Sequence, residues 1–402
     1  MTLAEELQWR GLVNQTTFAD ITDVNEPCTF YFGVDPSADS MTIGNLAAMM
    51  VVRHFIDHGH KAILLAGGAT GMIGDPDGKK QERDVRDEAV VAKNVEGLAA
   101  QMRRLLAGKS FEIVNNYDWF KDINYIEFLH KVGKHVSMTQ LLDRDFVQQR
   151  IGEGGSGISY GEFSYSLIQG YDFLHLFREK GATLQLCGAD QWGNSVTGVS
   201  LIRKLAGGEA HVFSTPLVIN KQTGVKFGKS EDGAIWLDAA KTSPYKFYQF
   251  WLNIDDASAE ELIKIYTLLD KPTIEAAVAA HRENPGARSL QKLLAREVTT
   301  LIHGEARVAA VVRASELLFC KEAFTLTSDV REVLRSELPV VALGTTVLEA
   351  LVQAGFAKSN GEAKRLLASG AVSKNGIKLQ EDIAITEPAL IKKGKNNFAL
   401  AE

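Results

Sequence analysis

Three short stretches of the chain place glycine beside residues that can hold an anion. The first, DPSADSMTIGN (35–45), separates the apolar run CTFYFGV (28–34) from the helix-like NLAAMMVVRHFIDHG. A helix start offers unpaired N–H groups and the positive end of the backbone dipole, so anions collect there. Thr42 and Asn45, three apart, share one face of that first turn, and Gly44 between them carries no side chain to block approach. Asp39, Ser40 and Thr42 are equally good helix caps, so this stretch alone fits capping as well as phosphate binding. The second stretch, GGATGMIGDP (67–76), follows the apolar AILLA and also sits at a strand's end. It is not the G-x-G-x-x-G of a dinucleotide site. The third, VKFGKSEDG (225–233), projects Lys226 and Lys229 from a loop with few apolar anchors, a pattern shared with solvated surface.

A different chemistry is suggested by YSLIQGYD, which puts Tyr165, Gln169 and Asp172 at i, i+4 and i+7, on one helical face. A polar face amid apolar neighbours is hard to explain as packing. Tyr31, within CTFYFGV, reads equally as a core aromatic, and Asp172 taken singly as a surface charge.

The elements that must carry these residues alternate in type. CTFYFGV, AILLA (62–66), FEIV (111–114), TLQLC (183–187) and HVFSTPLVI (211–219) read as strands, several apolar on both faces as in a covered parallel sheet. Helical patterns fill the connections. The expected fold class is α/β: a doubly wound, Rossmann-like parallel-sheet catalytic domain over residues 1–220 with a helical insertion, ligands lying at the strands' carboxyl ends. Residues 221–325 hold the lysine loop and then an all-helical domain, with Ser243-Pro244 a good helix start. Residues 326–340 read as a linker. Residues 341–402 form a small α+β unit in which Ser359 and Glu362 cap a helix and Asn375-Gly376 turns a hairpin.

The 402 residues carry a formal net charge of −6, but not evenly. From residue 341 onward eight cations face six anions, leaving that segment at +2 and the rest at −8. Cys28, Cys187 and Cys320 are scattered with no C-x-x-C pair, so no metal site or disulfide framework is expected and a reducing cytoplasm fits. No apolar run reaches the length of a membrane span, and MTLAEELQWRGLV lacks the layout of a signal peptide.

Taken together, YFGVDPSADSMTIGN, GGATGMIGDPDGKKQER, EFSYSLIQGYDFLHL, LQLCGADQWGN, KFGKSEDGAIWLD and TSPYKFYQFW resemble, in order and spacing, a class I aminoacyl-tRNA synthetase, more narrowly a bacterial-type tyrosyl-tRNA synthetase. With the small C-terminal unit, the resemblance covers nearly the whole chain. It implies that tyrosine and ATP, with magnesium, form tyrosyl-adenylate and pyrophosphate, and that the tyrosyl group then passes to the terminal ribose of its tRNA. It carries catalytic phosphate-binding roles onto Thr42, Asn45, Lys226, Lys229, Ser37, Lys79 and Arg83. Further ATP contacts fall on Gly33, Asp35, Gly44, Gly188 and Asp190. Tyr31 and Asp172 match the pair that reads the substrate's phenol; Asp75, Tyr165 and Gln169 match the ammonium cluster; Gln185 and Gln191 match pocket residues. The C-terminal unit resembles an S-four-like RNA-binding fold, with Lys364, Arg365, Lys374 and Lys378 as candidate phosphate contacts. A cytoplasmic homodimer is implied, with no protein-bound metal and no membrane association.

Two departures stand out. The family signature H-I-G-H reads T-I-G-N here, and Phe32 replaces a residue that is often small. A hydroxyl and a side-chain amide can still donate to phosphate oxygens without changing charge state. The competing readings are a synthetase for another aromatic amino acid, a simple nucleotidyltransferase, and a catalytically weakened RNA-binding paralogue. Tyr31 with Asp172 favours tyrosine, and Lys226, Lys229, Asp75 and Gln191 would be idle in a pure RNA binder.

Overall fold

The computed structural model describes residues 1–76, 87–219, 224, 227–230 and 233–402, with backbone alone at positions 140, 145, 146, 229 and 230. The chain divides into two compact units, Met1–Asp238 with Asp255–Ala280, and Ala239–Ile254 with His281–Glu402.

The first unit is built on a six-stranded sheet. Its strands are β1 (Gln15–Thr16), β2 (Thr29–Val34), β3 (Lys61–Ala66), β4 (Phe111–Asn115), β5 (Leu184–Gly188) and β6 (His211–Thr215), in the order β1-β6-β5-β2-β3-β4. The five from β2 to β6 run parallel, and only β1 is antiparallel, pairing with β6. This is the doubly wound arrangement that the alternating runs predict. Strand order reverses between β2 and β5, where Tyr31 pairs with Gln185, so the crevice at their carboxyl ends is the natural ligand site. Phe30, Tyr31, Leu64, Leu184, Leu186, Val212 and Phe213 are all buried, which explains runs without polar alternation. Helices Tyr160–Lys180 and Trp192–Ala206 cross closely at two glycines. A Cβ on Gly198 would lie 2.8 Å from that of Phe173, and one on Gly170 would lie 3.1 Å from Leu201 and Thr197. A short ladder, β7 (Lys229–Ser230) with β8 (Gly233–Ala234), ends the lysine loop.

The second unit joins helices Pro244–Leu252, Ser289–His303, Glu305–Phe319 and Ser328–Arg335 to a five-stranded sheet. That sheet comprises β9 (Val340–Val341), β10 (Val372–Lys374), β11 (Ile377–Lys378), β12 (Ala389–Lys393) and β13 (Asn397–Ala401), in the order β11-β10-β12-β13-β9. Its side chains alternate between two cores. Val372, Ala389, Ile391 and Ala401 pack with helices Val347–Gln353 and Asn360–Ala368, while Leu390, Phe398 and Leu400 pack with Ala314, Leu318, Val330 and Leu334. The stretch read as a linker therefore contains a helix, whose Val330 and Leu334, four apart, are completely buried under the sheet. Among the described residues no helix is long and apolar enough to cross a membrane.

Because the sheet covers helix Glu305–Phe319, it is not a detachable appendage. Burial of Leu390, Phe398 and Leu400 is worth about 1.5–3 kcal/mol each, against about 5–15 kcal/mol for a whole domain. Deleting 341–402 should therefore unfold or loosen the remaining helices of this unit. A thermal melt would show the loss; an unchanged upper transition would show that the sheet folds independently.

Candidate active site

Thr42 takes extended backbone angles (φ −104°, ψ 173°) and starts helix Ile43–Asp57. Asn45 reaches back one turn, its Oδ1 accepting from the Thr42 N–H (2.9 Å) and hydroxyl (3.1 Å). The capping reading of this stretch is therefore realised. It also orients the pair, because engaging the Asn45 oxygen leaves its NH₂ group, which makes no bond among the described residues, as a donor for a ligand.

The glycine of the lysine loop lies on this turn. The Gly228 carbonyl accepts from Ile235 N–H (3.0 Å), and Ile235 in turn accepts from Ile43 N–H (3.1 Å). Thr42 bridges to Trp236, and Leu237 donates to Met41 (2.9 Å). Gly228 has φ +93°, and a Cβ there would stand 2.5 Å from Ile43 Cγ1. Gln101, from helix Glu88–Leu105, secures the approach: its oxygen accepts from Met41 N–H (2.7 Å) and its amide donates to Ser40 (2.8 Å). Lys229 is placed by its backbone in β7, whereas Lys226, Lys79 and Arg83 lie outside the described residues.

Across the switch point, Tyr31 and Gln185 are adjacent on β2 and β5, and Asp172 faces them from helix Tyr160–Lys180. Asp172 is 2% exposed and accepts from Asn116 Nδ2 (3.1 Å) and Trp119 Nε1 (3.0 Å). Burial pushes its carboxyl well above the usual range, and those two donors pull against the rise. Burial likewise raises the Tyr31 phenol, helped by the neighbouring Asp172 and Cys187, so it stays a neutral O–H donor. Three buried polar atoms here have no hydrogen-bond partner among the described residues: Tyr31 Oη, Gln169 Oε1 and Gln185 Oε1. Native proteins seldom leave such atoms unsatisfied, and a cluster of them at a sheet's switch point marks a site built for a polar ligand.

Between these two sides lies a carboxylate-rich floor. Tyr165 donates to Asp35 Oδ2 (2.7 Å), and burial, then Asp35 and Asp75, hold its phenol well above its ordinary pKa. Gln191 donates its amide to Asp75 Oδ2. Gly33 is exposed on β2, and Ser37 is exposed just beyond it, its N–H bonded to the Asp35 carbonyl (2.8 Å). A Cβ on Gly44 would meet Thr42 Oγ1 at 3.5 Å and the Phe227 carbonyl at 3.9 Å, ordinary contact distances. A Cβ on Gly188 would meet Asp190 Oδ1 at 2.8 Å. Asn116, Trp119 and Asn194 are site neighbours that sequence reasoning missed; the only signal was the Asn-Asn pair that ends FEIVNN. Among the described residues no group of three or more His, Cys, Asp or Glu side chains is placed to hold a metal ion.

The basic candidates of the second unit are not one cluster. Lys364 and Arg365 are exposed together on helix Asn360–Ala368. Lys374 lies opposite Ile377, while Lys378 lies opposite Ser373, so Lys374 and Lys378 point to opposite faces of the hairpin. Lys374 is also paired with Glu387 (3.3 Å).

A Rossmann-order sheet with a helix start carrying a spare amide donor and a buried polar pocket at the switch point is the architecture of a nucleotide-binding α/β protein. Comparison with known proteins narrows the class. The family described as tRNA synthetases class I (W and Y) matches residues 22–320. The tyrosine–tRNA ligase of Bacteroides fragilis (strain YCH46) is 43% identical over 427 aligned residues, spanning 100% of this chain and 99% of that protein. The tyrosine–tRNA ligase of Flavobacterium johnsoniae is 42% identical over 420, spanning 100% and 96%. A C-terminally truncated mitochondrial tyrosyl-tRNA synthetase of Aspergillus nidulans superposes with a TM-score of 0.71 at 29% identity, covering 79% of this chain and 94% of that one. The chain belongs to the class I tRNA synthetases, in their tyrosyl-tRNA synthetase branch. The family uses ATP as a substrate.

Proposed function

We propose that the chain joins tyrosine to its tRNA in two steps at this site. A tyrosine carboxylate oxygen attacks the α-phosphorus of ATP; a C–O–P linkage forms, the bond to the bridging oxygen breaks, and pyrophosphate leaves with that electron pair. A terminal ribose hydroxyl of the tRNA then attacks the adenylate carbonyl, loses its proton and displaces AMP. No covalent enzyme intermediate is needed, so the protein acts by positioning and by stabilising charge. The observation that carries the reading is the set of orphaned atoms on Tyr31, Gln169 and Gln185 beside a buried Asp172.

In this reading the substrate phenol accepts from Tyr31 and donates to Asp172. Its ammonium group meets Asp75, Tyr165 and Gln169, and Gln185 and Gln191 complete the pocket. ATP, arriving with magnesium, lies over Gly33, Asp35 and Gly44 with its ribose near Gly188 and Asp190. Thr42, Asn45, Ser37, Lys226, Lys229, Lys79 and Arg83 hold its phosphates. Each donor to a charged oxygen contributes about 1.5–3 kcal/mol, which the Asn45 NH₂ supplies directly and the Thr42 hydroxyl supplies by turning its one hydrogen from Asn45 to the phosphate, without either being a histidine. For tRNA, Lys364, Arg365, Lys374 and Lys378 are the phosphate contacts of residues 341–402, with Lys364 and Arg365 exposed together on one helix and Lys374 and Lys378 on opposite faces of the hairpin. A homodimer is supported by the exposed Tyr125, Ile126 and Tyr160, the two tyrosines joined through their hydroxyls (3.2 Å). A cytoplasmic enzyme suits these partners.

The test is amino-acid-dependent exchange of labelled pyrophosphate into ATP. Tyrosine alone should support exchange, with phenylalanine and tryptophan at background. Exchange with tryptophan would make this a synthetase for another aromatic acid, and no exchange would leave an RNA-binding paralogue.

A further inference from the structure

The segment between β4 and helix Tyr160–Lys180 sends one side chain into the helix pair behind the amino-acid pocket. The Arg144 guanidinium donates through Nη1 to Ser166 Oγ (2.5 Å) and Asn194 Oδ1 (2.6 Å), and through Nη2 to the Gly193 carbonyl (2.7 Å) and Thr197 Oγ1 (3.0 Å). Ser166 donates to the same Asn194 oxygen (2.6 Å). Ser166 and Asn194 are both buried. With a guanidinium and a hydroxyl both donating to it, that amide has one orientation only. Its oxygen faces Arg144, and its Nδ2 must point the other way, where it donates to Gln191 Oε1 (3.1 Å). Gln191 is fixed in turn: with its oxygen occupied, its NH₂ group faces Asp75 Oδ2.

We propose that Arg144 is a positioning residue for the amino-acid pocket, setting through Asn194 the direction of the Gln191 amide and so the donor presented to Asp75. This rests on the reading above that Asp75 and Gln191 hold the amino acid. A guanidinium can only donate, whereas an amide can present either end. The permanently charged arginine therefore removes the choice from two amides in series. Without it Asn194 is free to turn its oxygen toward Gln191. Gln191 then rotates to donate to Asn194, leaving its own oxygen against the Asp75 carboxylate. The cost falls on tyrosine binding and spares ATP.

Two variants separate this role from simple anchoring. Arg144→Met removes both the anchor and the direction. Asn194→Asp keeps the anchor, as a carboxylate facing a guanidinium, but has no hydrogen to give Gln191. Tyrosine dissociation constants by equilibrium dialysis, Michaelis constants for ATP from pyrophosphate exchange, and melting temperatures would be measured on the full-length protein. The expected result is that both variants weaken tyrosine between about 10-fold and 100-fold, the range for a lost donor to a charged group, with the ATP constant within about twofold. Asn194→Asp should melt no lower than the parent, and adding Arg144→Met to it should weaken tyrosine little further, because both act on one relay. Wild-type tyrosine affinity in Asn194→Asp overturns the proposal, as does an Arg144→Met effect spread equally over tyrosine and ATP. A parent protein that binds no tyrosine at all would instead overturn the reading of the pocket.

Discussion

Asp172→Ala should lower kcat/KM for tyrosine by about 100-fold or more, while Tyr31→Phe should lower it about 10-fold. The two differ because of what each leaves behind. Asp172 is the shared acceptor of Asn116 and Trp119, so truncation strands two buried donors besides removing the proposed acceptor of the substrate's phenolic hydrogen bond. Each stranded donor costs about 1–3 kcal/mol, so this variant should also melt measurably lower. The Tyr31 hydroxyl, by contrast, has no partner among the described residues. Removing it deletes an unsatisfied buried group, and the melting temperature should hold or rise. Tyrosyl-tRNA synthetases are themselves the reference case for rejecting phenylalanine, by about 10⁵, because the pocket's polar groups are left unpaired by that substrate. Both variants should narrow this gap, chiefly through tyrosine. Exchange rates with both amino acids, beside thermal melts, check this. A Tyr31→Phe protein that melts several degrees lower, or that discriminates as well as the parent, would show that the phenol is read elsewhere.

What the sequence makes legible, and what it hides, follows from the range of the forces involved. The parallel strands were visible because burial on both faces writes an unbroken apolar run, as in Lys61–Ala66, where only the first residue is exposed. The cap of helix Pro244–Leu252 was visible because Ser243 bonds Lys246 three residues on. The Asn375-Gly376 turn was visible because few residues other than these accept its positive φ angles of 46° and 83°. Interactions that span the chain leave no local mark. Nothing near Asn116 says that it will meet Asp172, 56 positions away. Nothing in LTSDVREVLRSEL says that a sheet assembled from residues 340–401 will cover Val330 and Leu334, so a polar-looking segment read as a linker. The same limit hides which way the basic tail points: Lys374 and Lys378 are near in sequence, but a hairpin register puts them on opposite faces. At the candidate site, the pairing of Thr42 with Asn45 was legible from spacing alone. What spacing could not show is that the two uses are compatible: the amide spends its oxygen on the cap and keeps its hydrogens for the proposed ligand.

Gly228→Ala should slow adenylate formation by about 100-fold while leaving tyrosine affinity within about twofold. The residue sits at φ +93°, where an L side chain costs about 1–2 kcal/mol. The larger effect is steric. Its Cβ would fall 2.5 Å from Ile43 Cγ1 and 3.1 Å from Cδ1, against an ordinary carbon contact of about 3.5–4.0 Å. Ile43 is completely buried and cannot yield, so the loop must rise by about 1 Å. That rise pulls on the ladder that ties Gly228 through Ile235 to Ile43, and it shifts the backbone of the adjoining Lys229. In the proposed reaction Lys229 follows charge onto the departing pyrophosphate, and a shift of that size is enough to cost two orders of magnitude. Tyr31, Gln185 and Asp172 take no part in that ladder, so equilibrium binding of tyrosine should scarcely change. Thr42→Ala is the natural comparator: it removes one hydroxyl without lifting the loop, and its deficit in single-turnover adenylate formation should be smaller. Were Gly228→Ala to react at the parent rate, the loop's seat on the first helical turn would have no part in the chemistry, and the charge on pyrophosphate would have to be met from another side.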